Sequence, residues 1–334
     1  MLRRTRGGRS PSSTWAMIGR RLLALPVVLL AVAAFTFFLA RVSPRDPVQS
    51  YATVQSTVRQ QTAEEIAAAW GLNEPPHRQF LSWLGNLLRG DLGNSRLLGG
   101  QPVLDEIGAR LLPSAVLVGA ALLLVLVGGL LAGTAAAAFR DTWVDRAVRT
   151  LCYVNLAAPS FWIGLLMIWV FAIQLGWLPP GGMTDPRAVD PPLVDLRHLI
   201  LPALTLAAAQ HAWFTLYVRN TVLSVRQDDY VRFAEASGLG RGTVLFRHAL
   251  PNALLPFLTL TGAHLAELIG GTVLAETIFG WPGVGQLAVQ AALAADLPLL
   301  LAITLAGSVL VVLGNLTADV SYRIADPRVR EPAL

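Results

Sequence analysis

Few side chains in this 334-residue sequence could carry chemistry, and what is missing narrows the choice first. All 26 basic residues are arginine; there is no lysine. A P-loop needs its lysine to reach nucleotide phosphates and Schiff-base chemistry needs one as nucleophile, so the chain is neither kind of enzyme. The single cysteine, Cys152, lies in an apolar run, permits no internal disulfide or thiolate cluster, and reads as a small buried apolar residue. The five histidines (His77, His198, His211, His248 and His264) form no close-spaced ligand pattern of the H-E-x-x-H kind, and no metal site is expected. No G-x-S-x-G element is present and no Ser-His or Asp-Asp arrangement stands out, so no catalytic residue is expected. What remains is His264 and Glu267, three apart on one helical face in the middle of an apolar block. A carboxylate there costs about 2.5 to 3.5 kcal/mol if it faces lipid, so it should turn to a cavity or a partner. Two roles stay open: lining a path for solute, together with His211, or a local His–Glu hydrogen bond between helices.

The elements that must hold this pair are membrane helices. Hydrophobic residues make up 54% and charged residues 14% of the chain, a polytopic membrane composition. Apolar blocks at 22–40, 112–139, 151–177, 199–225, 254–279 and 297–322 each approach or exceed the roughly 20 residues that cross a bilayer. Irregular backbone cannot face lipid, so six helices are expected. The first follows Arg3, Arg4, Arg6, Arg9, Arg20 and Arg21, and no small-x-small site follows it, which favours a retained span over a cleaved signal. Arginine placement puts both termini inside. The organisation expected is a basic cytoplasmic tail (1–21), a first transmembrane helix (22–42), an external segment (43–111), a five-helix core (112–323) with a polar loop at 226–252, and a cytoplasmic tail (324–334). The external segment carries a helix-like patch at 63–70 and amphipathic spacing at 83–88.

The polar stretch 229–256, DYVRFAEASGLGRGTVLFRHALPNALLP, is flanked by apolar runs and is too long for a turn. Gly238 and Gly240 break one helix, and a second can start at Gly242 before Pro251. This is a helix-turn-helix at the membrane surface, offered to a partner.

The stretch resembles the cytoplasmic EAA loop of ABC importer permeases. The Glu-Ala-Ala position falls on Arg232-Phe233-Ala234, the glycine on Gly238, and the closing Ile-x-Leu-Pro on His248-Ala249-Leu250-Pro251. Triplet and Ile depart from the general motif, but the segment is similar to the version found in the peptide and nickel branch. Further matching pieces run in order: Gly90 to Ser95 (GDLG-S), Pro102 to Ile107, Pro159-Ser160-Phe161-Trp162, Gly176-Trp177-Leu178-Pro179, Leu201 to Leu206, Glu276 to Gly285, and Asp319 with Tyr322. The resemblance implies an all-α, six-transmembrane-helix type I ABC importer permease of the dipeptide and oligopeptide B-type, with an external amphipathic insertion and a cytoplasmic coupling helix.

It implies function in the same way. The chain is expected in the bacterial cytoplasmic (inner) membrane, paired with a homologous C-type permease, two ABC ATPases and an extracytoplasmic solute-binding protein, in the lipid bilayer, with a peptide substrate and no nucleic acid. It binds no cofactor itself; ATP and Mg belong to the ATPases. The ATPase-coupling residues implied are Arg232, Ala234, Glu235, Ala236, Gly238, Leu239, Gly240, Arg241 and Arg247. His211, His264 and Glu267 are the candidates for the translocation path, where they could meet a peptide amino group. The Gly90–Ser95 and Pro102–Ile107 elements would frame the external mouth or simply pack. Gly129 and Gly133, with Gly262, Gly270 and Gly271, would face a second permease or pack inside the chain. A nickel or metal-chelate permease is the alternative within the class, and a channel or membrane scaffold the alternative outside it.

Overall fold

A π-helical stretch and a sharp bend, rather than a row of straight rods, characterise the centre of the computed structural model, which describes residues 12–43, 73–185, 187 and 192–325. In chain order the elements are α1 (Ser12–Val42), α2 (Pro76–Leu88), α3 (Val103–Ala138), α4 (Trp143–Ala157), α5 (Ser160–Met167) continued by π-helical Ile168–Gln174, α6 (Leu196–Val225), α7 (Asp229–Ala236), α8 (Leu250–Phe279), α9 (Val284–Leu293) and α10 (Leu297–Ala325). A single turn, Arg241–Thr243, and a second π-helical stretch, Val244–Ala249, lead from α7 into α8. Among the described residues the only β feature is an isolated bridge between Asn94 and Pro102. The expected patch at 63–70 lies outside the described residues.

Four described stretches are long and apolar enough to cross a membrane: Leu23–Val42, Val103–Ala138, Leu196–Val225 and Leu297–Thr317. The block expected as one helix over 151–177 is instead two, bent by 107° between Ala157 and Ser160. Pro159 is the cause: it lacks an N–H and pushes the preceding residue out of the helical region, and Ala158 is extended at ψ 131°. Helix α8, at 30 residues, is about 45 Å long and also runs from one end of the bundle to the other. Two starts come earlier than expected, α1 at Ser12 and α3 at Val103, so the Pro102–Ile107 element lies on the first turns of α3.

The core is the seam between α3 and α6, which α8 covers. Leu117, Ala121 and Val125 of α3 meet Leu206, Phe214 and Val218 of α6 and Leu268 and Ala275 of α8, all buried. Glycine sets the approach: a Cβ on Gly133 would lie 2.6 Å from the Thr215 carbonyl oxygen and 2.7 Å from Val218 Cβ, and one on Gly129 3.1 Å from Phe214 Cβ. The small-residue face of α3 is therefore used inside the chain.

At the end of the bundle away from α7, Gly280 (φ +59°) terminates α8 and turns the chain so that buried Trp281 donates from its indole nitrogen to the Pro113 carbonyl at 3.0 Å. Glu276, fully buried, accepts from Ser114 Oγ at 2.6 Å and from the Gln286 N–H at 2.9 Å, so its carboxylate sits against the start of α9. Gly283 passes so close to that carboxylate that no Cβ would fit.

Candidate coupling surface and polar cluster

Helix α7 is short and amphipathic. Val231 and Ala234 turn inward onto Val244, with Val225 packed against them, a small core that belongs to this loop alone. The helix ends with Ser237 N–H on the Phe233 carbonyl (2.9 Å), Gly238 N–H on Glu235 (3.0 Å) and Leu239 N–H on Ala234 (3.3 Å). Gly238 takes φ +83° there, and nothing lies within 4 Å of where its Cβ would be. The glycine is thus required by backbone geometry, not by space. Arg226 reaches from the end of α6 to Glu235 at 3.3 Å and ties α7 to it.

The outward face differs from the one expected. Arg232, Glu235, Ala236, Gly238, Leu239, Gly240, Arg241 and Arg247 are exposed, but Ala234 is buried in the loop's own core. In its place the structure presents Phe233 and Phe246, 75% and 64% exposed, with Tyr230 beside them. Partial burial, helped by the neighbouring Asp228 charge, pushes the Tyr230 hydroxyl up despite its contact with Asn252. Exposed aromatics on an otherwise charged loop are the signal that a motif-based reading passed over.

The pair singled out in α8 is a real contact. His264 Nδ1 lies 3.0 Å from Glu267 Oε2, and Gln210 Nε2 of α6 donates to the same oxygen at 2.7 Å. The imidazole is wedged between the Trp213 and Phe214 rings, at centroid distances of 4.2 and 5.2 Å, and Trp213 stacks on Tyr217 at 5.3 Å. Glu267 itself remains 59% exposed while His264 is nearly covered. His211 does not join them: it sits over Gly128 of α3, its Nδ1 3.5 Å from Thr215 Oγ1, and borders a cleft of ≈ 220 Å³ with Val148, Cys152 and Asn155. It follows Gln210 directly in α6, and on a helix that single step is about 100°, enough to send the two side chains to different neighbours. Gln210, Trp213, Tyr217 and Asn220 were legible as one face of α6 by their 3-4-3 spacing.

Comparison with known proteins decides the family. The profile of the binding-protein-dependent transport system inner membrane component matches residues 126–331, and the N-terminal companion profile matches residues 15–99. The chain belongs to this family. It is a multi-pass, all-α permease of the type I ABC importer fold. It is 38% identical over 313 residues to the oligopeptide transport system permease protein AppB of Bacillus subtilis, covering 94% of this chain and 98% of that one. It is 39% identical over 315 residues (94% and 99%) to a Brucella abortus protein provisionally named a peptide transport system permease, and 34% over 311 residues (93% and 97%) to a provisionally named peptide permease of Brucella suis.

Two further clusters brace this permease. At the end opposite α7, Gly90 (φ +83°) and Gly93 (φ +78°) shape a loop that delivers Ser95 to Asp296. Both are fully buried; Ser95 Oγ donates at 2.7 Å and the Leu97 N–H at 2.9 Å, while Asp296 also accepts from Leu299 N–H at the start of α10. Burial pushes the neighbouring Arg96 guanidinium down to about 10, opposed by Asp296 and reinforced by Arg41. At the α7 end, Asp145 is wholly buried and binds Arg219 through two contacts, Nε to Oδ1 at 2.6 Å and Nη2 to Oδ2 at 2.8 Å. Arg149 Nε adds a third at 3.3 Å. The i,i+4 spacing of Asp145 and Arg149 is the one sequence signal for this cluster, and nothing in it points to Arg219, which lies on α6.

Proposed function

We propose that this chain is the permease subunit of a peptide importer, passing di- or oligopeptides delivered by a solute-binding protein through a path shared with a homologous second permease. ATP is hydrolysed in two partner ATPases, and α7 seats in a groove on one of them. What carries the reading is α7: a helix braced on its own small core, with Phe233, Leu239 and Phe246 exposed among charges. Such a surface is built to be covered. The relatives named for peptide transport, matched over nearly their whole length, support the cargo. Orientation follows the arginines: Arg140, Arg146, Arg149, Arg219, Arg226, Arg232, Arg241 and Arg247 all gather at the α7 end, which is taken as cytoplasmic.

The test is Gly238→Val. A β-branched residue held at φ +83° is strained, by roughly 1 to 2 kcal/mol, and the turn after α7 should re-form differently. The variant should insert and pair with the second permease but lose peptide uptake. Uptake and ATPase association at wild-type level would refute the assignment of α7. Competition by a chelated metal, but not by peptides, would refute the cargo.

A further inference from the structure

We propose that Glu267 is a recognition site for an ammonium group on the cargo, an inference that rests on the reading of this chain as a peptide-importing permease. Three independent observations meet there. First, Glu267 lies well inside α8, yet 59% of its side chain is open. A carboxylate so placed in lipid is unfavourable, so the open side belongs to a water-accessible path or to a partner's polar surface. Second, its two oxygens are treated differently. Oε2 is held by two donors, Gln210 Nε2 at 2.7 Å and His264 Nδ1 at 3.0 Å, whereas among the described residues no hydrogen bond reaches Oε1. A carboxylate held through one oxygen is oriented and presents its second oxygen as an acceptor that no described residue occupies. Third, one of the two donors is itself fixed. His264 is wedged against Trp213 and Phe214, and Trp213 stacks on Tyr217, so an aromatic shelf stands next to the carboxylate. A free carboxylate oxygen beside stacked aromatic faces suits an ammonium, which needs an acceptor for its protons and tolerates a π face for its charge.

A simple structural hydrogen bond predicts otherwise. It would bury the carboxylate and spare neither oxygen, as Glu276 does in the same helix. The face of α6 that carries Gln210 continues as Trp213, Tyr217 and Asn220, polar and aromatic throughout, toward the α7 end. Polar residues lined up over a helix in a membrane favour a path over a lipid face.

Two sources of ammonium are open, the peptide α-amino group and a lysine side chain. The complete importer with its receptor, in proteoliposomes, is compared as wild type and Glu267→Gln with three probes: Ala-Ala-Ala, N-acetyl-Ala-Ala-Ala and N-acetyl-Ala-Lys-Ala. Rates are expressed relative to N-acetyl-Ala-Ala-Ala; the receptor's own preference is the same for both proteins and cancels between them. Glu267→Gln should lower the relative rate of Ala-Ala-Ala at least tenfold if the α-amino group is read, or that of N-acetyl-Ala-Lys-Ala if the side chain is read, with the reference, which carries no ammonium group, unchanged within twofold. Relative rates equal in the two proteins overturn the inference while the peptide reading stands. A wild type that transports none of the probes overturns the peptide reading and this inference with it. Gln210→Leu, which keeps the charge but removes one donor from Oε2, provides a second measure and should shift the same ratio in the same direction by a smaller factor; no shift in either variant overturns the proposal.

Discussion

Asp145→Asn should be among the most damaging single substitutions in this permease. The wild-type carboxylate is wholly buried and meets Arg219 in a two-pronged pair of 2.6 and 2.8 Å, with Arg219 only 12% exposed. Asparagine keeps the shape but removes the charge, leaving a buried guanidinium without its counterion and with Arg149, formerly a co-partner of Asp145, now a like-charged neighbour. Breaking a buried pair by deleting one member costs about 3 to 5 kcal/mol, against about 0 to 1 for an exposed pair. At about 1.4 kcal/mol per decade, the lower figure already changes the folded-to-unfolded ratio about a hundredfold. The assay is reversible unfolding in mixed micelles of a mild detergent and dodecyl sulfate, followed by tryptophan fluorescence, on the single variants Asp145→Asn and Arg219→Met and on the double variant. Removing both charges should restore most of the loss, since an apolar replacement of a whole buried pair is often neutral. A loss below about 1 kcal/mol for Asp145→Asn, or a double variant no better than the single, would show that the pair is not desolvated in the membrane as it is here.

Other perturbations have narrower readouts. Gly133→Leu should separate α3 from α6 and cost at least about 1 to 3 kcal/mol in the same unfolding assay, because even a Cβ at Gly133 meets the Thr215 carbonyl oxygen at 2.6 Å. Ser95→Ala should destabilise by about 1 to 3 kcal/mol, by leaving buried Asp296 without its 2.7 Å hydroxyl donor. Phe233→Asp should leave permease stability within about 0.5 kcal/mol, the side chain being 75% exposed, while abolishing co-purification of the ATPase.

Much of this architecture was legible because bilayer thickness and hydropathy leave little choice. The apolar blocks became helices, and Gly238 took the positive φ that its place after a short polar helix calls for. The misreadings have local causes. Hydropathy cannot see a bend, so 151–177 read as one rod until Pro159 divided it. A motif names positions without faces, so Ala234 was grouped with its exposed neighbours although the helical period turns it inward with Val231. His211 was grouped with His264 as a candidate for the same path, and the structure seats its ring over Gly128 of α3, away from the Glu267 cluster. The ion cluster of Asp145 and Arg219 was invisible, as long-range pairs across helices are when only one sequence is read.

Helix α6 is the element through which these observations combine. It is continuous from Leu196 to Val225, and within that length it carries the Gln210 amide that holds Glu267, the Trp213–Tyr217 shelf, and Arg219. Arg219 also donates to Asn220 at 3.1 Å, so the last polar residue of the path face is bonded to the ion pair that anchors α6 to α4. Beyond it, Arg226 meets Glu235 on α7. Along its other side, glycines bring α3 into backbone contact with it, leaving little compressible side chain between the two helices. If α7 is driven by an ATPase as proposed, a displacement there cannot be absorbed by repacking along α6; it must move α6 with α3 as a body, carrying Gln210 relative to α8. The oxygen of Glu267 that Gln210 holds would then be released or regained with each stroke, and the grip on a cargo ammonium would change in step with the coupling helix. Locking Gln210 to α8 by a disulfide between cysteines placed at Gln210 and Glu267 should therefore stop uptake of N-acetyl-Ala-Ala-Ala, whose transport does not depend on the Glu267 carboxylate, in the oxidised complex and restore it on reduction; uptake of that probe unaffected by oxidation would show that α6 and α8 move together and that the grip is static.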